Sequence, residues 1–362
     1  MSTETVVMGL IILFALAFSM TNGWNDSANA IATVVSTRVL APWQAIVFGS
    51  VLNLVGALFS DQVANTIGKD IADPKLLSPA TFLAAVVVAP IWVTWCTLRG
   101  LPISCSHSLM GGLVGAVMAS VGSASGAWGR LLAHDAPGAI QALGLQGPGI
   151  YKIVFGVFTS PILGFILGYL VILAVAWTFR RVRSSTASGI FGKLQILSAG
   201  AMAFAHGTGD AQKAMGLITG ALVSYQLSKH GSSELLVGDH MHVPLWVRLL
   251  CAATMALGTA IGGWAVMRTL GSRLAHLRPH QGFAAETAAS FTILINTLWR
   301  GIPISTTHSI TGAIMGVGAA HGIRAVKWGV GKKIIFAWVF TFPVCIAGGA
   351  ALCWLLKACG IG

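Results

Sequence analysis

Residues 98–112 read LRGLPISCSHSLMGG, and residues 299–313 read WRGIPISTTHSITGA. The two stretches align without a gap, and His107 falls on His308 at an offset of 201 positions. A second pair matches as well: NGWNDSANAI at 22–31 aligns with HGTGDAQKAM at 206–215, and Asp26 falls on Asp210. Each half of the chain therefore carries the same two motifs in the same order. The chain reads as a duplication, with residues 1–183 as the first repeat and 184–362 as the second.

The residues around the motifs set the class. The chain has 362 residues, 55% of them hydrophobic and 9% charged, with a mean hydropathy of +0.80. Soluble domains carry about 25% charged residues. The apolar residues come in long blocks. The run YKIVFGVFTSPILGFILGYLVILAVAW at 151–177 exceeds the ~20 residues that cross a bilayer. Apolar segments at about 5–37 (interrupted), 42–59, 79–98, 103–121, 151–179, 194–225 (interrupted), 244–268, 281–299, 303–321 and 333–357 predict an all-α polytopic membrane protein, about five segments to a repeat. Glu4 precedes the first of them and no basic n-region does, so this run reads as a retained span and not a signal peptide. The six cysteines lie in or beside apolar segments without paired ligand spacing, so neither a disulfide framework nor a zinc site is implied.

The formal net charge of +12 raises the question of nucleic acid, and the placement of the charges answers it. They gather in short stretches: Arg180, Arg181, Arg183 and Lys193; Arg268, Arg273 and Arg278; Arg324, Lys327, Lys332 and Lys333. This is the positive-inside pattern of a membrane protein and not a nucleic-acid surface. With 180–193 in the cytoplasm, counting spans puts the N-terminus and loops 60–78, 122–150 and 226–243 outside, and 268–280 and 322–333 inside. Arg300 is the one exception. The repeats then enter the membrane from opposite sides. Inverted-topology repeats, with a substrate near the midplane at their interface, are the architecture of secondary transporters. A multi-pass protein of the cell membrane is implied, the inner membrane in a bacterium.

Polar groups inside such a span are expensive and must face a partner or a cavity. Asp26, Asp210 and Glu286 are the acids set within apolar segments. Gly23 and Gly207 predict broken helices, whose freed backbone could meet an ion. Asn25, Asp26 and Asn29 offer hard oxygens in the first repeat. In the second, Asp210 remains, while Gly209 and Lys213 replace the two asparagines. Asp26/Asn29 and Asp210/Lys213 are i,i+3 pairs and share a helix face; a structural salt bridge is the plainer reading of the latter. Gly-x-Pro ahead of ISCSHS and ISTTHS ends one helix and starts another. Ser104, Cys105, Ser106 and Ser305, Thr306, Thr307 then sit at helix N-termini, where free amides, the helix dipole and hydroxyls favour an anion. Ordinary N-capping is the alternative. His107 and His308 follow, either to orient hydroxyls, to carry protons, or as plain structural residues. His206 and Asp210 make half a metal site, with no third ligand at diagnostic spacing, so no metal or other cofactor is expected. Gly111, Gly112, Gly115, Gly312, Gly316 and Gly318 read as close helix packing.

At these residues the chain resembles the PiT inorganic phosphate transporters. GWNDSANAIA, AHGTGDAQKAMG, GLPISCSHSLMGG and GIPISTTHSITGA look like that family's duplicated signatures, in order and over nearly the whole chain apart from 122–150 and 226–243. The resemblance implies a cation-coupled symporter working by alternating access, not an enzyme. It implies phosphate at Ser104, Cys105, Ser106, Ser305, Thr306, Thr307 and Lys213, and coupling ions at Asn25, Asp26, Asn29 and Asp210. It also implies re-entrant hairpins at 79–121 and 281–321, which would account for Arg300. Two positions depart from the signatures: Gly209 stands where Asn is usual, and Cys105 where Thr is usual. Some members carry sulfate, which stays open as the anion. Proton coupling is favoured over sodium, because Lys213 cannot ligate a metal cation. Possible carriage of a metal–phosphate complex, and a possible homo-oligomer in the bilayer, complete the expectations. A channel would lack a duplicated anion clamp, and an enzyme would need a nucleophile triad or metal.

Overall fold

The computed structural model describes residues 3–122, 124–238 and 240–361. Its principal helices are α1 (Thr3–Ser36), α2 (Pro42–Ala57), α3 (Pro79–Leu98), α4 (Cys105–Ser120), α5 (Gly147–Thr178), α6 (Ser184–His230), α7 (Leu245–Ile261), α8 (Pro279–Arg300), α9 (Thr306–Ala320) and α10 (Trp328–Ala358). Short helices Ala124–Leu132 and Ala136–Ala142 occupy the first long loop, and a two-stranded antiparallel ribbon, Leu236–Val237 with His240–Met241, the second. α1, α3, α5 and α10 are each long and apolar enough to span a membrane, and two bent helix pairs pass the same test. The protein is an all-α, multi-pass membrane protein.

The order of elements after Ser184 restates the order before it. α1 matches α6, α2 matches α7, and each pair α3–α4 and α8–α9 is joined through an extended turn. α5 and α10 close the two halves. Packing is exchanged across the halves: α5 lies on α9 and α10 on α4, while α1 lies on α7 and α2 on α6. Side chains follow suit. On α5 and α10, Phe158, Ile162, Phe336 and Val339 stay exposed, as hydrocarbon-facing residues do. On α4 and α9, every residue from 105 to 117 and from 306 to 318 is buried. At 1.5 Å per residue α4 and α9 are only about 24 and 22 Å long, short of the ~30 Å hydrocarbon layer. They are interior helices, too short to cross that layer alone.

The expectation of breaks at Gly23 and Gly207 is wrong. α1 and α6 run continuously through them. These glycines serve close crossings instead. A Cβ on Gly23 would lie 2.1 Å from the Met255 carbonyl oxygen, and one on Gly207 would lie 2.1 Å from that of Asn53. Gly258 and Gly56 return the contact against Met20 and Phe204. Helix backbones this close leave no room for a side chain. The breaks fall one element later. Pro42–Ala57 and Gln62–Leu76 are bent by 64°, and Leu245–Ile261 and Trp264–Leu274 by 60°. In the second, Gly262 takes the left-handed φ of +75°. The apolar run at 244–268 thus hides a turn that its hydropathy does not register.

Candidate functional site

Each extended turn starts at a glycine in the left-handed region, Gly100 (φ +67°), one residue past the C-cap Arg99, and Gly301 (φ +57°), itself the C-cap of the preceding helix. The proline that follows cannot continue a helix, and the chain runs extended to a serine. Ser104 and Ser305 are those serines, and both are N-caps. The Ser104 hydroxyl accepts from the His107 amide and the Ser305 hydroxyl from the His308 amide, each at 3.2 Å. Their side chains are engaged by their own helices.

The second residue after each serine cap reaches across to the other half. Thr307 Oγ1 donates to the Ile103 carbonyl at 2.9 Å, and Ser106 Oγ donates to the Ile304 carbonyl at 3.2 Å. These bonds are reciprocal at the 201-residue offset. A second reciprocal pair ties the bent helices to the tips: Thr66 Oγ1 donates to the Gly301 carbonyl at 2.9 Å, and Thr269 Oγ1 to that of Gly100 at 2.8 Å. The tips therefore meet in the protein interior, each held by the opposite half.

The acidic helices close over this meeting point. Thr307 Oγ1 also lies 3.0 Å from Asp26 Oδ1. Thr306 Oγ1 lies 3.4 Å from Asp26 Oδ2 and 3.2 Å from Asp210 Oδ2. Asn29 Nδ2 donates to Thr307 Oγ1 at 2.9 Å and to Thr306 Oγ1 at 3.3 Å. Asn25 turns aside and donates to Thr97 Oγ1 at 2.6 Å. Lys213 Nζ bonds Asp210 Oδ1 and Ser106 Oγ, and reaches the Ile304 carbonyl at 3.4 Å. Its three donors are thus all directed to oxygens, and the side chain is wholly buried. Cys105, at the place of Thr306, is buried beside the same carboxylates.

His206 is the residue whose role sequence reasoning leaves half-drawn. Its Nδ1 lies 2.8 Å from Asn53 Oδ1, an atom that only accepts, so Nδ1 carries the hydrogen. Asn53 is itself fixed by donating to Thr259 Oγ1 at 2.8 Å. Nε2 is thereby aimed at the carboxylates, 3.3 Å from Asp210 Oδ2 and 3.8 Å from Asp26 Oδ2. Asp26, His206 and Asp210 offer ligand atoms all within 4.8 Å of one another. The third ligand that His206 and Asp210 lack in sequence is Asp26, from the other half. Its distance along the chain hides it; the duplicated Asp positions are the only sign that the two carboxylates converge.

The two histidines of the tips stand apart. His107 and His308 meet edge to face, ring centroids 4.6 Å apart, and His308 stacks on Trp338 at 3.7 Å. No hydrogen bond among the described residues joins either ring to a hydroxyl of the tips. The side chain of Arg300 lies outside the described residues.

Cavities flank this occluded centre without entering it. One of about 480 Å³ is lined by Thr66, Lys69, Lys152, His240 and Gly301, and another of about 300 Å³ by Phe191, Arg278, His280 and His321.

Comparison with known proteins agrees with this geometry. The model of the phosphate transporter family matches residues 22–349. A probable low-affinity inorganic phosphate transporter of Rhizobium meliloti is 41% identical over 96% of both chains. Its namesake in Bacillus subtilis is 37% identical over the same share. A solved structure described as the sodium-dependent phosphate transporter superposes with a TM-score of 0.81 over 98% of this chain and 99% of its own, at 24% identity, which speaks for the fold. With a family match over most of its length and relatives this close, the chain belongs to the phosphate transporter family.

Proposed function

We propose that the protein imports inorganic phosphate by proton-coupled symport, through two inverted repeats, 1–183 and 184–362, that rock about the joined tips. The single observation carrying this reading is the convergence of both Ser/Thr helix N-termini on Asp26, Asp210 and Lys213. Helix N-termini and hydroxyls favour a tetrahedral oxyanion. The ammonium of Lys213 adds a fixed positive charge, and the carboxylates select a partner that brings its own hydrogens. Thr306, Thr307 and Ser106 are the proposed phosphate donors, with Lys213. Asn25, Asp26, Asn29 and Asp210 are the proposed coupling residues. The alternating sides of access agree with the cavities. The larger is lined chiefly by residues 61–70, Lys152 and His240, at the side that the charge pattern puts outside, together with Trp299 and Gly301 of the second tip; the smaller is lined by helix ends and loops at the side it puts inside.

Proton coupling is supported by the asymmetry at the motif. Asn29 could lend an oxygen to a metal cation beside Asp26, but Lys213 at the matching place cannot. A carboxylate–lysine–histidine cluster can instead take and release protons. A second reading, that a divalent cation travels with phosphate as a neutral complex, is favoured by the Asp26–His206–Asp210 set, an N/O donor group suited to such ions.

Uptake of labelled phosphate into proteoliposomes tests the proposal. An inward proton gradient without sodium is expected to drive accumulation. Arsenate should compete and sulfate should not, because phosphate near neutral pH can donate a hydrogen bond to a carboxylate and sulfate cannot. Lys213→Asn should lower proton-driven uptake and introduce a sodium requirement. Full sodium dependence of the unaltered protein, with no response to the proton gradient, would defeat the coupling; strong competition by sulfate would make the protein a sulfate permease.

A further inference from the structure

The mechanism above leaves one buried acid unused. Glu286 on α8 is fully buried. Its carboxylate receives the hydroxyls of Thr33 from α1 and Ser198 from α6, and the amide of Gln195 at 3.5 Å. Gln195 is held in turn, its Oε1 accepting from Thr37 at 2.9 Å. The remaining neighbours are neutral too: Ser290 bonds the Glu286 carbonyl and approaches Met202 at 3.7 Å. On the surrounding helices the central cluster holds Asp26, His206, Asp210 and Lys213, and toward the other end the ionisable side chains include Arg38 beyond α1, Lys193 on α6, Arg278 and His280 at the start of α8, and His321 beyond α9. Among the described residues none of them bonds or pairs with Glu286. An ionised carboxylate buried without a counter-charge is costly, so such a group is poised to exchange a proton with whatever can supply one.

Three further observations give it a direction. At the offset that relates the tips, the position matching Glu286 is Ala85, which is also fully buried. The fold thus accepts an apolar residue at the equivalent site, and packing does not demand the acid. Next, Thr33 stands one helical turn beyond Asn29, which bonds the hydroxyls of Thr306 and Thr307, and two turns beyond Asp26. Gln195 and Ser198 lie on α6 on the same side of His206 and Asp210. Lastly, this direction leads toward the basic loops at 180–183 and 268–278 and toward the cavity lined by Arg278, His280 and His321.

We infer that Glu286 is the inner proton-release group of the transporter, passing the coupling proton from the central cluster to the cytoplasmic side. This rests on the proton-coupled reading. In the step, the Glu286 carboxylate gains a proton through the Thr33 hydroxyl, which gives one to Oε1 and takes one from the central side. The neutral acid then loses its proton to water in the inner cavity and the carboxylate is restored. Hydroxyls both donate and accept, so Thr33 and Ser198 serve either charge state by rotating.

The test separates net transport from exchange. Glu286→Gln keeps the side-chain shape and hydrogen-bonding capacity. Its proton-driven net uptake of phosphate in proteoliposomes should fall on the order of a hundredfold, the lower end of what a positioned proton-transfer group contributes. Counterflow of labelled against unlabelled phosphate, at equal pH on both sides, should persist. Glu286→Asp should recover part of the net uptake. A Glu286→Gln protein that accumulates phosphate as fast as the unaltered one overturns the assignment while leaving proton coupling intact. Loss of counterflow as well, in a protein that folds and inserts normally, would place Glu286 in phosphate handling and overturn it too. An unaltered protein indifferent to the proton gradient would overturn the coupling and this role with it, and loss of a sodium-driven component alone would make Glu286 a cation ligand instead.

Discussion

At the first tip, Ser106 takes a hydrogen bond from Lys213, and Cys105 stands beside the carboxylates with a thiol. At the second, Thr306 and Thr307 turn two hydroxyls toward Asp26 and Asp210 and receive Asn29. The backbones match, with the same left-handed glycine, the same serine cap and the same reciprocal bond to the opposite tip. The side chains differ as the facing helices differ. Where α6 presents an ammonium, the tip needs an oxygen that accepts; where α1 presents a carboxylate and an amide, it needs hydroxyl donors. Duplication supplies the frame, and the exchange of Asn29 for Lys213 makes the two sides of the site chemically unequal.

The comparison breaks most visibly at the charged pair. Asp210→Asn leaves the Lys213 ammonium buried with its nearest counter-charge removed, which should cost about 3–5 kcal/mol of stability. Lys213→Met in the same background should recover most of it, because the unpaired charge is gone. Thermal unfolding of the purified protein in detergent, read for the two single variants and the double, gives the coupling directly. Additive effects would mean that the pair does not act as a unit, and the asymmetry between the halves would lose its electrostatic basis.

Much of this was legible in the sequence, and the reasons differ by feature. The all-α membrane class follows from apolar blocks that no soluble fold could hide. The tips are legible because Gly-x-Pro-Ile-Ser dictates a helix end, an extended stretch and a cap in sequence order. The convergence of Asp26 on Asp210 was visible only through the repeat. Local rules misplaced the helix breaks. Gly23 and Gly207 signal flexibility in isolation, but in a crossing where an added Cβ would fall 2.1 Å from a backbone carbonyl oxygen a glycine signals proximity, and proximity is a property of the partner helix. The fixing of His206 by Asn53, and the bonds of Thr33 and Ser198 to Glu286, join residues 88 to 253 positions apart with no motif to announce them.

A middle-sized effect sharpens the division of labour within one tip. Thr306 faces the carboxylates, whereas Ser305 caps its own helix. Thr306→Ala should weaken phosphate binding by roughly 1.5–3 kcal/mol, the worth of a hydrogen bond to a charged group. Ser305→Ala should lower stability by about 1 kcal/mol, as a lost cap does, with a smaller effect on affinity. Calorimetric titration with phosphate and a melting curve for each variant separate the two. Equal losses of affinity would put both hydroxyls on the anion, and unchanged affinity in Thr306→Ala would remove Thr306 from the site.

The smallest expected effect tests whether the first tip is deficient or merely different. A thiol is a weak donor, so Cys105 contributes less to an anion than the Thr306 hydroxyl it matches. Cys105→Thr restores the symmetry of the tips with nearly the same volume, and Cys105→Ala removes the weak donor altogether. If the first tip also touches phosphate, Cys105→Thr should tighten binding by about 0.5–1.5 kcal/mol, the net worth of an ordinary hydrogen bond, and Cys105→Ala should change it by less. If instead the first tip serves only to hold Lys213 through Ser106, an added hydroxyl gains no anion to bind. It would then compete with Thr306 for the carboxylates, and affinity would stay level or fall. The sign of the change in Cys105→Thr therefore decides whether phosphate is clamped from both halves or bound by the second tip and Lys213 alone.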